Sequence, residues 1–295
     1  MTVFNLMARI GLDSSAYETA LGDAKSKMVS FGGAVKTGFS AIGKAAVAGS
    51  AVAAAGISAL TKASVEGYAE YEQLVGGVDT LFKEASSKVQ QYASEAYKNV
   101  GMSANDYMTN ATAFSASLIS SLGGDTEAAA EYANRAMVSM SDNANKMGTS
   151  LDSIVQTYQS LSRGNFAMLD NLKLGYGGTK AELERLIEDA ATYTDVQREM
   201  GITVDESSMS FDNIINAIAV VQGHLDIAGA TAAEAASTIE GSLAAAKAAW
   251  ANLVTGIADE NQDFDTLVNN FVDSVATAAD NLLPRIEIAI TGVAK

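Results

Sequence analysis

The sequence predicts an all-α protein, built as elongated helical hairpins or a bundle, with one short strand at its N-terminus. Three observations predict it. Proline, the residue that most strongly interrupts helices, occurs once in 295 residues, at Pro284. Hydrophobic residues make up 48% of the chain and aromatics only 7%, so much of the apolar content is alanine, the best intrinsic helix former. Helix-start signals recur along the centre of the chain, each a capping residue ahead of an apolar-periodic run. The same reading divides the chain into a basic apolar head (residues 1–63), a compact helical middle (64–200) and an amphipathic helical tail (201–295).

The elements follow in order. Phe4, Leu6, Ala8, Ile10 and Leu12 share one parity, the period of a strand. Asp13 and Ser14 offer an N-cap for a helix to about Phe31, broken at Gly32-Gly33. An Ala-rich helix then runs on through Val65, Tyr68, Tyr71, Val75 and Val78, with Gly76-Gly77 a weak point and Gly101 the close. Ser103-Ala-Asn-Asp106 reads as a capping box with Asp in place of Glu. Asp125 opens the next helix, Gly148 ends it, and Thr149 or Ser150 caps the one after. Thr179-Lys-Ala-Glu182 and Thr231-Ala-Ala-Glu234 are two further capping boxes. Beyond the last, Leu243, Ala246, Trp250, Leu253, Val254 and Ile257 form one stripe. Leu267, Phe271, Val275, Ala278 and Leu282 form another. Stripes of this spacing call for a partner helix, as in a coiled coil.

Composition removes whole classes of function. With no Cys, disulfides, thiolate metal sites and a cysteine nucleophile are excluded. One His rules out a His-based metal cluster. The net charge is −16, and it is uneven: residues 1–62 carry +3, so the remainder carries −19. A chain this acidic has little surface for neutralising phosphates, which argues against sequence-specific nucleic-acid binding. Met1 to Leu12 lacks the basic start and long apolar run of a secretory signal. Ala45 to Thr61 is free of charge and 17 residues long, the lower limit for crossing a bilayer, but it is mostly Ala, Gly and Ser. Close packing against other helices is its first reading, and insertion into a membrane its second.

Candidate chemistry is sparse. Gly38-Phe-Ser-Ala-Ile-Gly43-Lys44-Ala45 nearly fits a phosphate loop, but Ala45 replaces the metal-binding hydroxyl and no apolar strand precedes it. Gly175-Tyr-Gly177-Gly178-Thr179-Lys180 is a Gly-rich turn before a helix, which reads as a tight connection capped by Thr179. His224 has Asp226 two residues on, a spacing that does not face across a helix. Glu182, Glu184, Glu188 and Asp189 are interleaved with Lys180 and Arg185, as on a solvated helix face. Asp259, Glu260, Asp263 and Asp265 lack the Gly and terminal Glu of a calcium loop. The methionines 137, 140, 147, 168, 200 and 209 suit adaptable core packing. No catalytic residue, cofactor or metal is expected.

One stretch carries more information. Residues 139–149, SMSDNANKMGT, are followed by Tyr158-Gln159, by Gly164-Asn165-Phe166 and by residues 168–180, MLDNLKLGYGGTK. This motif resembles the signature of the tail tape measure proteins of long-tailed bacteriophages and prophages. AEYEQLVGGVDTLF and FSASLISSLGG upstream are similar to the same family, and the resemblance covers roughly residues 1–200. It implies a non-enzymatic structural protein of the virion. Such proteins lie in the tail lumen as helical chains, set tail length and template tube assembly, and parts of them aid DNA delivery. It implies tail tube protein and tail-assembly chaperones as partners, self-association, a cytoplasmic stage during assembly, and host-membrane contact during infection. Family members are usually longer, with an extended rod. Within the motif, Asn143, Lys146, Gly148, Leu169, Asp170, Asn171, Leu172, Gly175, Gly177, Gly178 and Thr179 are expected to shape and cap an interhelical corner. Gly175, Gly177 and Gly178 would supply backbone freedom, and Leu169, Leu172 and Leu174 would bury against the next helix.

Overall fold

The computed structural model describes residues 51–293, with side chains over residues 60–285. The expected strand at residues 3–12 and helix at 13–31 lie outside the described residues, as do residues 45–50 of the apolar segment. Among the described residues the secondary structure is helical throughout, with no strand. In order, the α-helices are α1 (Ala51–Phe82), α2 (Ser86–Asn99), α3 (Ala104–Ser121), α4 (Thr126–Met147), α5 (Leu151–Ser162), α6 (Lys180–Thr192), α7 (Thr194–Met200), α8 (Phe211–His224), α9 (Ala230–Ser237), α10 (Ile239–Gly256) and α11 (Phe264–Val293). Short 3-10 turns lie at Lys83–Ala85 and Leu169–Leu172. No described helix is long and apolar enough to cross a membrane.

Local chemistry accounts for most boundaries. Ser103 accepts the Asp106 amide at 3.2 Å, Asp125 the Ala128 amide at 2.9 Å and Ser150 the Ser153 amide at 3.3 Å, so each caps as expected. Gly148 ends α4 with φ +62°, the left-handed conformation that glycine adopts without penalty. The expected break at Gly76-Gly77 does not occur, and α1 runs through both glycines. It stops at Lys83, whose φ is +51°. The buried Val78 and Phe82 pin the last turn of α1 in the core, so the chain turns just after them.

The described chain forms two compact units. One is Ala69–Ala233; the other combines, among the described residues, 51–68 with 234–293. The boundaries fall inside α1 and inside α9, so the compact middle extends past residue 200. The reason is α8. It is buried from Phe211 to Val221 except at Asp212, and it packs on α3, α4, α6 and α7. A helix buried around nearly its whole circumference needs neighbours on all sides. Around it, α2, α3 and α4 pack in sequence and α5 closes against α3 and α4. Tyr107, Met108, Phe114, Leu118, Met137, Met140, Ile154 and Tyr158 fill the space between. Phe114 meets Phe211 edge to face, with ring centroids 6.0 Å apart.

In the second unit α10 pairs with α11 along their length. The expected stripe on α10 is the packed face only in part: Ala246 and Leu253 are buried and Val254 and Ile257 half-buried. Ser242, Ala245, Ala246, Ala249, Leu253 and Gly256 are buried, whereas Leu243 and Trp250 are 49% and 39% exposed. Small side chains let the two backbones approach. A Cβ on Gly256 would lie 2.2 Å from Leu267 Cδ1 of α11, and where α1 meets α10 a Cβ on Gly67 would lie 2.8 Å from Thr255 Oγ1. On α11 Val268, Ser274 and Ala278 are buried and the other stripe residues half-buried. Trp250 leans on Phe271 at 5.1 Å between ring centroids.

Candidate functional site

The residues of the motif meet at one corner, where α4, α5, the Leu169–Leu172 turn and the start of α6 converge. Asn143, fully buried on α4, donates Nδ2–H to the Leu172 carbonyl at 2.9 Å. Its Oδ1 has no partner among the described residues. One turn on, Lys146 is exposed and complements the negative end of the α4 dipole. Lys173 reaches back to donate to the Met147 carbonyl at 3.0 Å, and Thr149 donates to the Asn171 carbonyl at 3.3 Å. Asn171 in turn donates to Thr157 Oγ1 on α5 at 3.2 Å. Asp170 is exposed, and its backbone carbonyl accepts the Lys173 amide. Leu169, Leu172 and Leu174 are buried, and the turn that carries the first two packs on α5.

The three glycines differ in what they do. Gly175 has φ +89°, so it needs the glycine conformation. Gly178 needs space: a Cβ there would sit 2.4 Å from the Ala167 carbonyl oxygen. Gly177 needs neither, since its φ is not positive and a Cβ would meet only Glu182 Cγ at 3.6 Å. The expectation that all three supply conformational freedom therefore narrows to Gly175, with Gly178 required for space instead. Thr179 caps α6 by accepting the Glu182 amide at 3.3 Å. The return bond of the capping box goes elsewhere than usual, with Glu182 accepting the Gly177 amide at 3.1 Å.

Arg185, Tyr176 and Asp189 complete the corner. The Arg185 guanidinium lies 4.3 Å from the Tyr176 ring centroid, donates to the Gly175 carbonyl at 2.8 Å and pairs with Glu182 at 2.6 Å. The Tyr176 hydroxyl donates to Asp189 at 2.8 Å. Hydrogen bonds from Arg185 and from the Gly177 amide hold the Glu182 carboxyl below the usual glutamate range. Burial, with the bond to Asp189, pushes the Tyr176 phenol up. Glu182 and Asp189 are thus tied into the turn rather than standing on a free helix face.

A second polar network joins α4 to the segment before α9. Asp142, 1% exposed, accepts the Gly229 amide at 2.6 Å and the Thr231 amide at 2.8 Å. Thr231 Oγ1 accepts from Asn145 at 2.9 Å and donates to Ser141 at 3.1 Å. Thr231 is therefore inside this network and not the N-cap that its spacing from Glu234 suggests. Burial pushes the Asp142 carboxyl up, and the Thr231 and Gly229 bonds act in the opposite direction. On α8, Asn213, Asn216 and Gln222 are buried and tie down other segments. Asn213 donates to the Asp205 and Ser208 carbonyls, Asn216 to the Thr203 carbonyl and Gln222 to the Ser139 carbonyl. Arg135 donates to Asn216 Oδ1 at 2.6 Å.

The remaining candidates resolve into local roles. His224 is exposed and stacks on Tyr193, ring centroids 3.8 Å apart. Asp263 caps the Thr266 amide and Asp259 accepts the Asn261 amide. Among the described residues no group of three or more His, Asp or Glu is placed to hold a metal. A shallow groove of about 520 Å³ lies between the end of α3, the end of α5 and the start of α8. Four serines, Ala116, Leu161, Gly164, Phe166, Met209 and Phe211 line it, and no charged side chain does.

Helices locked together at this corner define an all-α protein at the level of fold. No family model, curated protein or solved structure matches the chain.

Proposed function

We propose that the chain is a structural component of a phage or prophage tail, which helps set tail length, templates assembly of the tube and aids DNA delivery. The observation that carries this reading is the motif in residues 139–149 and 168–180, with its resemblance to tail tape measure proteins. The geometry of the corner supports it: residues brought together by the motif also bond together, Asn143 with Leu172 and Thr149 with Asn171. A long composite motif is then one structural unit rather than a run of unrelated likenesses. The strong negative charge of the chain suits a protein that shares a narrow lumen with DNA and must not adhere to it. Its partners in this role are tube subunits, tail-assembly chaperones and further copies of itself.

Purified tails from the phage or prophage that encodes the chain test the reading. Mass spectrometry finds the chain in assembled tails, and an in-frame deletion of its gene leaves particles without tails of defined length. Normal tails assembled in its absence would overturn the proposal.

A further inference from the structure

The first turn of α9 has no cap of its own. The first amides of any α-helix lack intrahelical acceptors and need them from elsewhere. The residues just ahead of α9 are Ala228 and Gly229, followed by Ala230 at its start, and none of their side chains accepts a hydrogen bond. The acceptor comes from 87 to 89 residues away, as the Asp142 carboxylate takes the Gly229 and Thr231 amides on separate oxygens. The grip is continuous with α4. Ser141 and Asn145, the neighbours of Asp142, hold the Thr231 hydroxyl, and Ser141 also donates to the Val100 carbonyl at 2.8 Å. The approach to the helix turns sharply, with Asp226 at φ +55° and Gly229 at φ +79°. Ile227 is buried beside it.

We infer that Asp142 is a latch: the first turn of α9 is folded only while α4 presents this carboxylate to it. The segment 228–237 then has two states, a helical one seated on Asp142 and a frayed one, and the state of α4 chooses between them. The only local help is the Ile227 carbonyl, which accepts the Ala230 amide at 3.1 Å, so the order of α9 reports the integrity of a helix far from it in the chain. A free carboxylate would not do this, because an uncapped helix start in water exchanges its amide bonds for water bonds at little cost. Here the carboxylate is buried, and a segment that leaves it strands an acceptor inside the unit.

Amide hydrogen exchange on the full chain at neutral pH tests the latch. In Asp142→Ala, exchange of Gly229, Thr231 and the amides of α9 accelerates by roughly tenfold or more, the size expected for loss of a helix cap. The amides of Ile154 to Leu161 in α5, which belong to the same unit, stay protected. Asp142→Asn keeps the shape and one acceptor oxygen, and gives the same pattern at smaller amplitude. It carries the test alone if the alanine variant fails to fold. Unchanged protection of α9, or loss of protection in step with α5, would overturn the inference.

Discussion

Gly178 and Gly177 stand side by side and face different physical demands. At Gly178 a methyl group would press on the Ala167 carbonyl from 2.4 Å, and backbone cannot give way as a side-chain tip can. Gly178→Ala should cost about 1–3 kcal/mol in denaturant unfolding, the range for forced overpacking. Gly177→Ala should stay within about 0.5 kcal/mol, because its Cβ would find ordinary contact. Equal effects at both positions would contradict the geometry. The sequence does not separate the two glycines, since the atom that distinguishes them belongs to a residue eleven positions back. Thr179 and the three leucines were legible, because capping and apolar spacing are local. Asp142 was not, as nothing near Asp142 in sequence hints at Gly229. Glu182 supplies a pH dependence. Its carboxyl is held below the ordinary value in the folded chain, so its contribution is present above the unfolded pKa and is lost as pH falls through the lowered folded one. The melting temperature of the wild type should exceed that of Glu182→Gln near neutrality. The gap should close as pH drops below about 4.3, the ordinary glutamate value. A gap that does not change with pH would remove Glu182 from the corner.

At the scale of the helix, size is a poor guide to which face packs. Leu243 and Trp250 draw attention on α10, yet they are 49% and 39% exposed, while the small Ala245, Ala249 and Gly256 are buried. Two helices approach closely only where side chains are short, and alanine periodicity is hard to see in a segment where alanine is everywhere. Ala249→Leu should therefore destabilise the pairing of α10 with α11 by about 1–3 kcal/mol. Leu243→Ala should change stability by less than about 1 kcal/mol, since about half of the side chain is already in water. Urea titration followed by circular dichroism distinguishes these outcomes, and the reverse ranking would restore the stripe of large residues as the packed face. For α8 the opposite failure applies. Its Asn213, Asn216 and Gln222 read as a solvent-facing side, yet all three are buried and hydrogen-bonded to neighbouring segments.

Across the whole chain, the helical class was legible from composition, because a single proline and abundant alanine leave few alternatives. The division into units was not. The compact unit Ala69–Ala233 ends inside α9 and begins inside α1, so no loop, Gly/Ser run or charge shift announces either boundary. What closes the unit is contact between residues distant in sequence: Asp142 with Gly229, Gln222 with Ser139, Arg135 with Asn216. The proposed length-setting role belongs to this scale, since it would depend on how much helix the chain contains. A helix rises about 1.5 Å per residue, so an in-frame insertion of helical sequence in α11 lengthens the span in proportion. Electron microscopy of tails carrying such insertions is the direct measurement. The account predicts tails longer by roughly 84 Å for about 56 added residues. Tails of unchanged length, made with the lengthened protein inside them, would contradict it.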